Sequence, residues 1–167
     1  MQAPVRTIFV NASQHADGNT VRMGQRILGG VPHERLDLVD YRIDSLGQRS
    51  AGDQFELVEA AIRQADTIIF GTPVYWHTVS GSLKVLLERL SQGSSDLADK
   101  RLVFFFQGSG PTPESVAQME YMMRRFAEVM GMRLVSIASD AVSVGQVNAL
   151  LRGASQSLLD VQWRNYY

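Results

Sequence analysis

The sequence predicts an α/β fold in one domain spanning residues 1–167: a five-stranded parallel sheet in the order 2-1-3-4-5 between two layers of helices. Two observations predict it. Short apolar runs alternate with stretches of helical periodicity, five times over, and that alternation implies parallel strands joined by crossover helices. A polar loop follows the first apolar run, a ring-rich loop the third and a glycine-rich loop the fourth. Right-handed crossovers bring those three segments to the carboxyl end of such a sheet, where open α/β sheets take their ligands.

Each element follows from its residues. Residues 5–10 form the first strand and 11–19 a polar loop. Residues 20–28 form the first helix, with Val21, Gly24, Ile27 and Leu28 toward the sheet and Gly29-Gly30 as its end. The second strand, 34–38, is short and less apolar, which puts it near an edge. After a polar connection, 53–64 read as a helix with Phe55, Val58, Ala61 and Ile62 on one face and Asp53 as N-cap. Thr67 to Phe70 is a buried strand; Gly71 and Pro73 are expected to stop it, leaving Tyr75, Trp76 and His77 on a loop. From Val79 the period becomes helical, with Leu83, Leu86, Leu87 and Leu90 following.

Gly93 stops that helix. Residues 101–106 give the strongest strand signal, Val103-Phe104-Phe105-Phe106. A loop, 107–113, leads into a helix with Pro113 in its first turn and Glu114 at its positive end. That helix runs to Met130 and buries Val116, Met119, Met122 or Met123, Phe126 and Met130. A fifth strand, 132–138, and a last helix, 145–161, complete the pattern.

Composition removes several function classes. Sixteen Lys and Arg against seventeen Asp and Glu leave a net charge of −1, so neither nucleic acid nor an anionic membrane is an expected partner. The pair Arg124-Arg125 reads as a solvated helix face. The chain has no Cys, which excludes disulfides, thiol catalysis, iron–sulfur clusters and Cys-based zinc sites. His15, His33 and His77 lack metal-ligand spacing, and no Gly-x-Ser-x-Gly elbow occurs, so a hydrolase is not expected. The first residues show no signal-peptide pattern, and no apolar run approaches ~18 residues; a cytoplasmic location without a membrane span is expected.

Three loops remain as candidates. The first carries Ser13, Asp17, Gly18, Asn19 and Thr20 ahead of a helix, a set suited to cradling an anion with hydroxyls and free N–H groups. It is neither a Walker loop nor a dinucleotide fingerprint, and helix capping by Asn19 or Thr20 is the alternative. The third-strand loop gathers Tyr75, Trp76 and His77, which suit a flat ligand whose polar edge meets the following helix N-terminus, or else cover the sheet edge. The fourth-strand loop, Gly108-Ser109-Gly110, lets backbone amides approach a ring edge, or is a plain turn. Together they describe a mononucleotide with a large flat ring.

Gly71-Thr72-Pro73-Val74-Tyr75-Trp76, then Val79-Ser80-Gly81-Ser82-Leu83-Lys84 and Glu88-Arg89, resemble the signature of NADPH-dependent FMN reductases and related flavodoxin-like NAD(P)H oxidoreductases. Asn11-Ala12-Ser13 and Asp17-Gly18-Asn19-Thr20 are similar to that family's phosphate loop. The resemblance implies a flavodoxin-like fold and bound FMN. Its phosphate would lie on Ser13, Gly18, Asn19 and Thr20, its ring against residues 73–79, and its pyrimidine edge near Gly108 to Gly110. Many relatives have a basic residue in the phosphate loop, a place His15 would take here.

On that reading NAD(P)H is the co-substrate and passes hydride to the flavin, which hands it to a small-molecule acceptor such as a quinone or free flavin. No side chain is an obligatory catalyst; Tyr75 or His77, or water, would donate a proton. A flavodoxin-type electron carrier and a non-catalytic mononucleotide-binding module are the alternatives; the near-zero charge fits a carrier poorly. A homodimer is expected, since family members often place the flavin at a subunit interface and Trp76, Trp163, Tyr166 and Tyr167 are rings a monomer would expose.

Overall fold

A computed structural model describes residues 5–93 and 96–156. Five parallel strands form its sheet: β1 (Thr7–Asn11), β2 (Glu34–Asp37), β3 (Thr67–Tyr75), β5 (Arg101–Gln107) and β6 (Arg133–Ala138), in spatial order β2-β1-β3-β5-β6. A sixth short strand, β4 (Thr78–Val79), folds back antiparallel on the end of β3. Counted without β4, this is the expected order, with the least apolar strand, β2, at one edge.

Alternation of side chains along the strands makes two cores. On one face Ile8, Val10, Ile68, Phe70, Leu102, Phe104 and Phe106 meet α2 (Phe55–Arg63), α3 (Gly81–Gln92) and α4 (Pro113–Val129). On the other, Phe9, Ile69, Val103 and Phe105 meet α1 (Asn19–Ile27) and α5 (Ala141–Gln156). Each fully buried Phe contributes about 1.5–3 kcal/mol of burial free energy, so the run from Val103 to Phe106 ties both layers to one strand.

The structure corrects the expected end of the third strand. β3 continues through Gly71 and Pro73 to Tyr75. Gly71 is there because a Cβ would lie 2.2 Å from Phe105 Cζ and 2.8 Å from Phe9 Cε2; the glycine admits two rings and does not break the strand. The Gly71 carbonyl accepts from Ala12 N–H on the β1 side. Pro73, two residues on, turns the same way and has no N–H to give the Ala12 carbonyl, which accepts from Ser82 Oγ instead.

Boundaries moved at three helices. Val79 belongs to β4, and Ser80 caps α3 by accepting from Leu83 N–H at 3.3 Å. Asp53 is not the N-cap of α2, which is Gln54 with no side-chain cap bond, although Asp53 Oδ1 accepts from Phe55 N–H at 3.2 Å. α5 starts at Ala141, four residues before the expected start, because Asp140 and Ser143 cap each other's backbone N–H groups. The expected helix end at Val161 lies outside the described residues, as do Trp163, Tyr166 and Tyr167.

Candidate functional site

The loop after β1 ends at an open helix terminus. α1 begins after Gly18, which makes no side-chain cap bond, and its first turn carries no acidic residue. The two residues expected as caps are engaged elsewhere: Asn19 Oδ1 accepts from Arg22 Nη1 at 2.9 Å, and Thr20 Oγ1 from Gln107 Nε2 at 3.0 Å. The capping alternative is therefore overturned, and the first-turn N–H groups of α1 keep their donor capacity. The α3 N-terminus, expected to face the ligand's polar edge, is instead closed by a side chain, Ser80.

Ser13 is buried, and its Oγ accepts from His15 N–H at 3.1 Å, which leaves the hydroxyl proton for another acceptor. His15 is exposed. Thr20 is fully buried and joined to the end of β5 through Gln107. That contact ties the first and third candidate loops to each other. A further tie comes from Ser82 Oγ, which donates to Ala12 O at 3.2 Å and fixes the α3 start against the end of β1.

A cleft of about 660 Å³ opens beside these loops. Six of the sequence candidates line it: Asn19, Pro73, Val74, Tyr75, Gly108 and Ser109. Ser13, His15, Gly18 and Thr20 stand outside that lining, as do Trp76, His77 and Gly110. Trp76 and His77 form the two-residue turn between β3 and β4, with φ of 46° and 65°, and their rings meet edge-on at 5.7 Å. Trp76 is 92% exposed. Gly110 has φ of 75°, a conformation that favours glycine.

Sequence reading missed Arg26, Gln107, Ser139 and Asp140 on the cleft wall. A signal existed for one of them: Asp140 and Ser143 have N-cap spacing ahead of an apolar-periodic stretch. The Asp140 carboxyl is held below its ordinary value by the Ser143 N–H and hydroxyl. The Arg26 side chain, exposed on α1, donates to no acceptor among the described residues. Among those residues no group of three His, Cys, Asp or Glu is placed to hold a metal ion, and no helix is long and apolar enough to cross a membrane.

A family model described as NADPH-dependent FMN reductase matches residues 5–149. The chain belongs to that family. This bears out the resemblance read from its motifs, and with it the expectation of FMN as cofactor. YwqN of Bacillus subtilis (strain 168), named as a candidate NAD(P)H-dependent FMN-containing oxidoreductase, is 30% identical over 100 residues. The match covers 55% of this chain and 55% of that relative, so the chain spans about half of the relative's length. The solved structure of Trp repressor binding protein from Bacillus subtilis superposes with a TM-score of 0.65 at 21% identity, covering 92% of this chain and 99% of that one. An FMN-dependent NADH-azoreductase from Bacillus anthracis, solved with FMN, gives 0.66 at 11% identity, over 90% and 98% of the two chains. At such identities the structures establish the flavodoxin-like fold alone.

Proposed function

We propose that the protein is an FMN-dependent NAD(P)H oxidoreductase that carries hydride from a nicotinamide nucleotide to a small acceptor, a quinone or a free flavin. The observation that carries this reading is the uncapped N-terminus of α1 beside a cleft bounded by the ends of β3 and β5. A phosphate monoester fits the first feature, because free N–H groups and the helix dipole favour an anion there. A flat ring fits the second. Family membership and the names of the relatives point the same way.

In this reading Ser13, Gly18, Asn19 and Thr20 hold the phosphate, with His15 at the rim. Pro73, Val74 and Tyr75 form one wall for the ring. Gly108, Ser109 and Gly110 offer backbone N–H groups to its polar edge, where negative charge develops on reduction. Bound FMN would supply two-electron hydride chemistry. Tyr75, 40% exposed on the cleft wall, is better placed than His77 to give a proton to an acceptor, since the His77 ring packs against Trp76 outside the lining. A homodimer belongs to the same proposal, supported by the exposed Trp76, and so does a cytoplasmic setting, where reduced nicotinamide nucleotides are supplied.

The test has three parts. Denatured protein should release FMN, and recovery of FAD or failure to take up FMN would sink the cofactor reading. Mixed anaerobically with NADPH or NADH, the yellow protein should bleach and recover its colour with a quinone. Persistence of colour over many minutes with both nucleotides would favour an electron carrier. Light scattering at micromolar concentration should give a dimer mass, and a monomer mass would count against that part.

A further inference from the structure

We propose that Arg35 and Asp37, at the end of β2, are positioning residues for the loop 12–18, setting its backbone so that amides rather than carbonyls face a bound phosphate. This rests on the reading of that loop as the FMN phosphate site.

The loop contains no Lys or Arg. An anion there is held mainly by N–H donors, so the orientation of the peptide planes decides affinity. That orientation is imposed from β2 through the fully buried Asn11. Asn11 Oδ1 accepts from Ser13 N–H at 3.2 Å, while its Nδ2 donates to His15 O at 3.2 Å and to Asp37 Oδ1 at 2.8 Å. Arg35 grips the other Asp37 oxygen, Oδ2, from Nε at 3.1 Å and Nη2 at 2.7 Å. The same Nη2 donates to Ala16 O at 3.1 Å.

Two consecutive carbonyls, those of His15 and Ala16, are thus tied toward β2. In a trans peptide the C=O and N–H point in opposite directions. Holding these two oxygens toward β2 turns the N–H groups of Ala16 and Asp17 away from it. Neither N–H has an acceptor among the described residues. Both residues are exposed, so these N–H groups are open to solvent and available to an anion that binds there. The ion pair is suited to this work because Asp37 is only 11% exposed and Arg35 36%, and a guanidinium fork fixes direction as well as charge.

Two substitutions of opposite charge separate positioning from simple attraction. Arg35→Met removes a cation near the phosphate, and Asp37→Ala removes an anion. Through-space electrostatics makes the first weaken FMN binding and the second tighten it. Positioning makes both weaken it. Titration of the full chain with FMN and with riboflavin, which lacks the phosphate, should show the FMN dissociation constant rising about tenfold in both variants, with riboflavin changed less than about twofold. Arg35→Lys keeps a donor within reach of Ala16 O and should recover part of the FMN affinity; it serves as the readout if Arg35→Met does not fold. Tighter FMN binding by Asp37→Ala, or parallel losses for FMN and riboflavin, would overturn the inference. A wild-type protein that takes up no FMN would instead overturn the proposed function, which keeps the two failures distinct.

Discussion

Arg89 donates from Nη2 to Asp53 Oδ2 at 2.7 Å across 36 positions of the chain, with only 11% and 14% of the two side chains exposed. The bond fastens α3, whose start abuts the ligand loops, to the connection before α2. Arg89 also donates to Asp44 O at 2.7 Å and lies 4.3 Å over the Phe55 ring, so its charge is satisfied on several sides. Surface pairs are worth about 0–1 kcal/mol, and loss of one partner of a buried pair costs about 3–5 kcal/mol. For this nearly buried pair we predict that Asp53→Ala lowers stability by about 2–3 kcal/mol in urea titration. A loss under about 0.5 kcal/mol would show that the pair is merely a surface contact.

The same pair sets an acid dependence. The Arg89 hydrogen bond, chiefly, holds the Asp53 carboxyl below its ordinary value. A lowered folded-state value means the unfolded chain binds the proton more readily. The stabilisation is therefore complete above about pH 4, the unfolded value, and is lost as pH falls through the lowered one. Asp53→Asn should flatten the acid limb of a plot of stability against pH below that point, and an unchanged slope would sink the prediction.

Gly71→Ala should be severe. Its Cβ would sit 2.2 Å from Phe105 Cζ, and Phe105 and Phe9 are both buried in the α1–α5 core. Overpacking of this kind costs about 1–3 kcal/mol, and more where rings cannot yield. Gly145→Ala is the contrast: that position lies in α5 with nothing within 4 Å of a new Cβ, and it should gain up to about 1 kcal/mol from helix propensity. Equal midpoints for the two variants in thermal melts would contradict the packing argument.

Much of this was legible in the sequence because period and composition report burial directly. The parallel sheet and the two-faced run at 103–106 needed only the pattern of apolar residues, the strand order came from the known doubly wound arrangement of five strands, and crossover handedness then grouped the three loops. Gly71 misled because a glycine that ends a strand and one that admits a neighbouring ring look alike in one dimension; Phe105 and Phe9, which decide between them, are distant in the chain. For Asn19 and Thr20 it was the capping alternative that fell. Their partners, Arg22 and Gln107, took the side chains that a local reading assigned to capping. Arg26 and Asp140 escaped notice because they come from α1 and the β6–α5 junction, and only the packing of α1 beside α5 brings them to one cleft.

The turn at Trp76 and His77 stores strain. Two-residue hairpin turns with both central residues at positive φ ordinarily carry Asn-Gly. Here Trp and His adopt φ of 46° and 65°, at a cost of about 1–2 kcal/mol each. We take this as a hypothesis of function, since such strain collects at working sites. Replacing the pair by Asn-Gly should raise the melting temperature of the flavin-free protein and at the same time lower nicotinamide-dependent turnover. A stabilised variant with unaltered turnover would leave the exposed indole without a role in the reaction.

Arg26 should distinguish the nicotinamide from the flavin. It is the one Lys or Arg lining the cleft among the described residues. It also donates to no protein acceptor there, so its donors are available to a ligand. Asp140 lines the same cleft and stays anionic, its carboxyl held low by Ser143. The FMN phosphate is assigned to Ser13, Gly18, Asn19 and Thr20, of which only Asn19 lines the cleft, so the phosphates of NADPH are the anions left for Arg26 to meet. Such contact is made equally in the ground and transition states and acts on KM rather than kcat. Arg26→Gln should raise the KM for NADPH about tenfold, the worth of one modest charge-assisted bond. NADH, with one phosphate fewer, should lose less, and kcat and FMN affinity should hold. Asp140→Asn should act in the opposite direction by removing a like charge from the phosphates' path. Steady-state kinetics with both nucleotides, alongside an FMN titration, decides the matter. An unchanged KM would remove Arg26 from substrate binding, and a parallel fall in FMN affinity would assign it to the flavin.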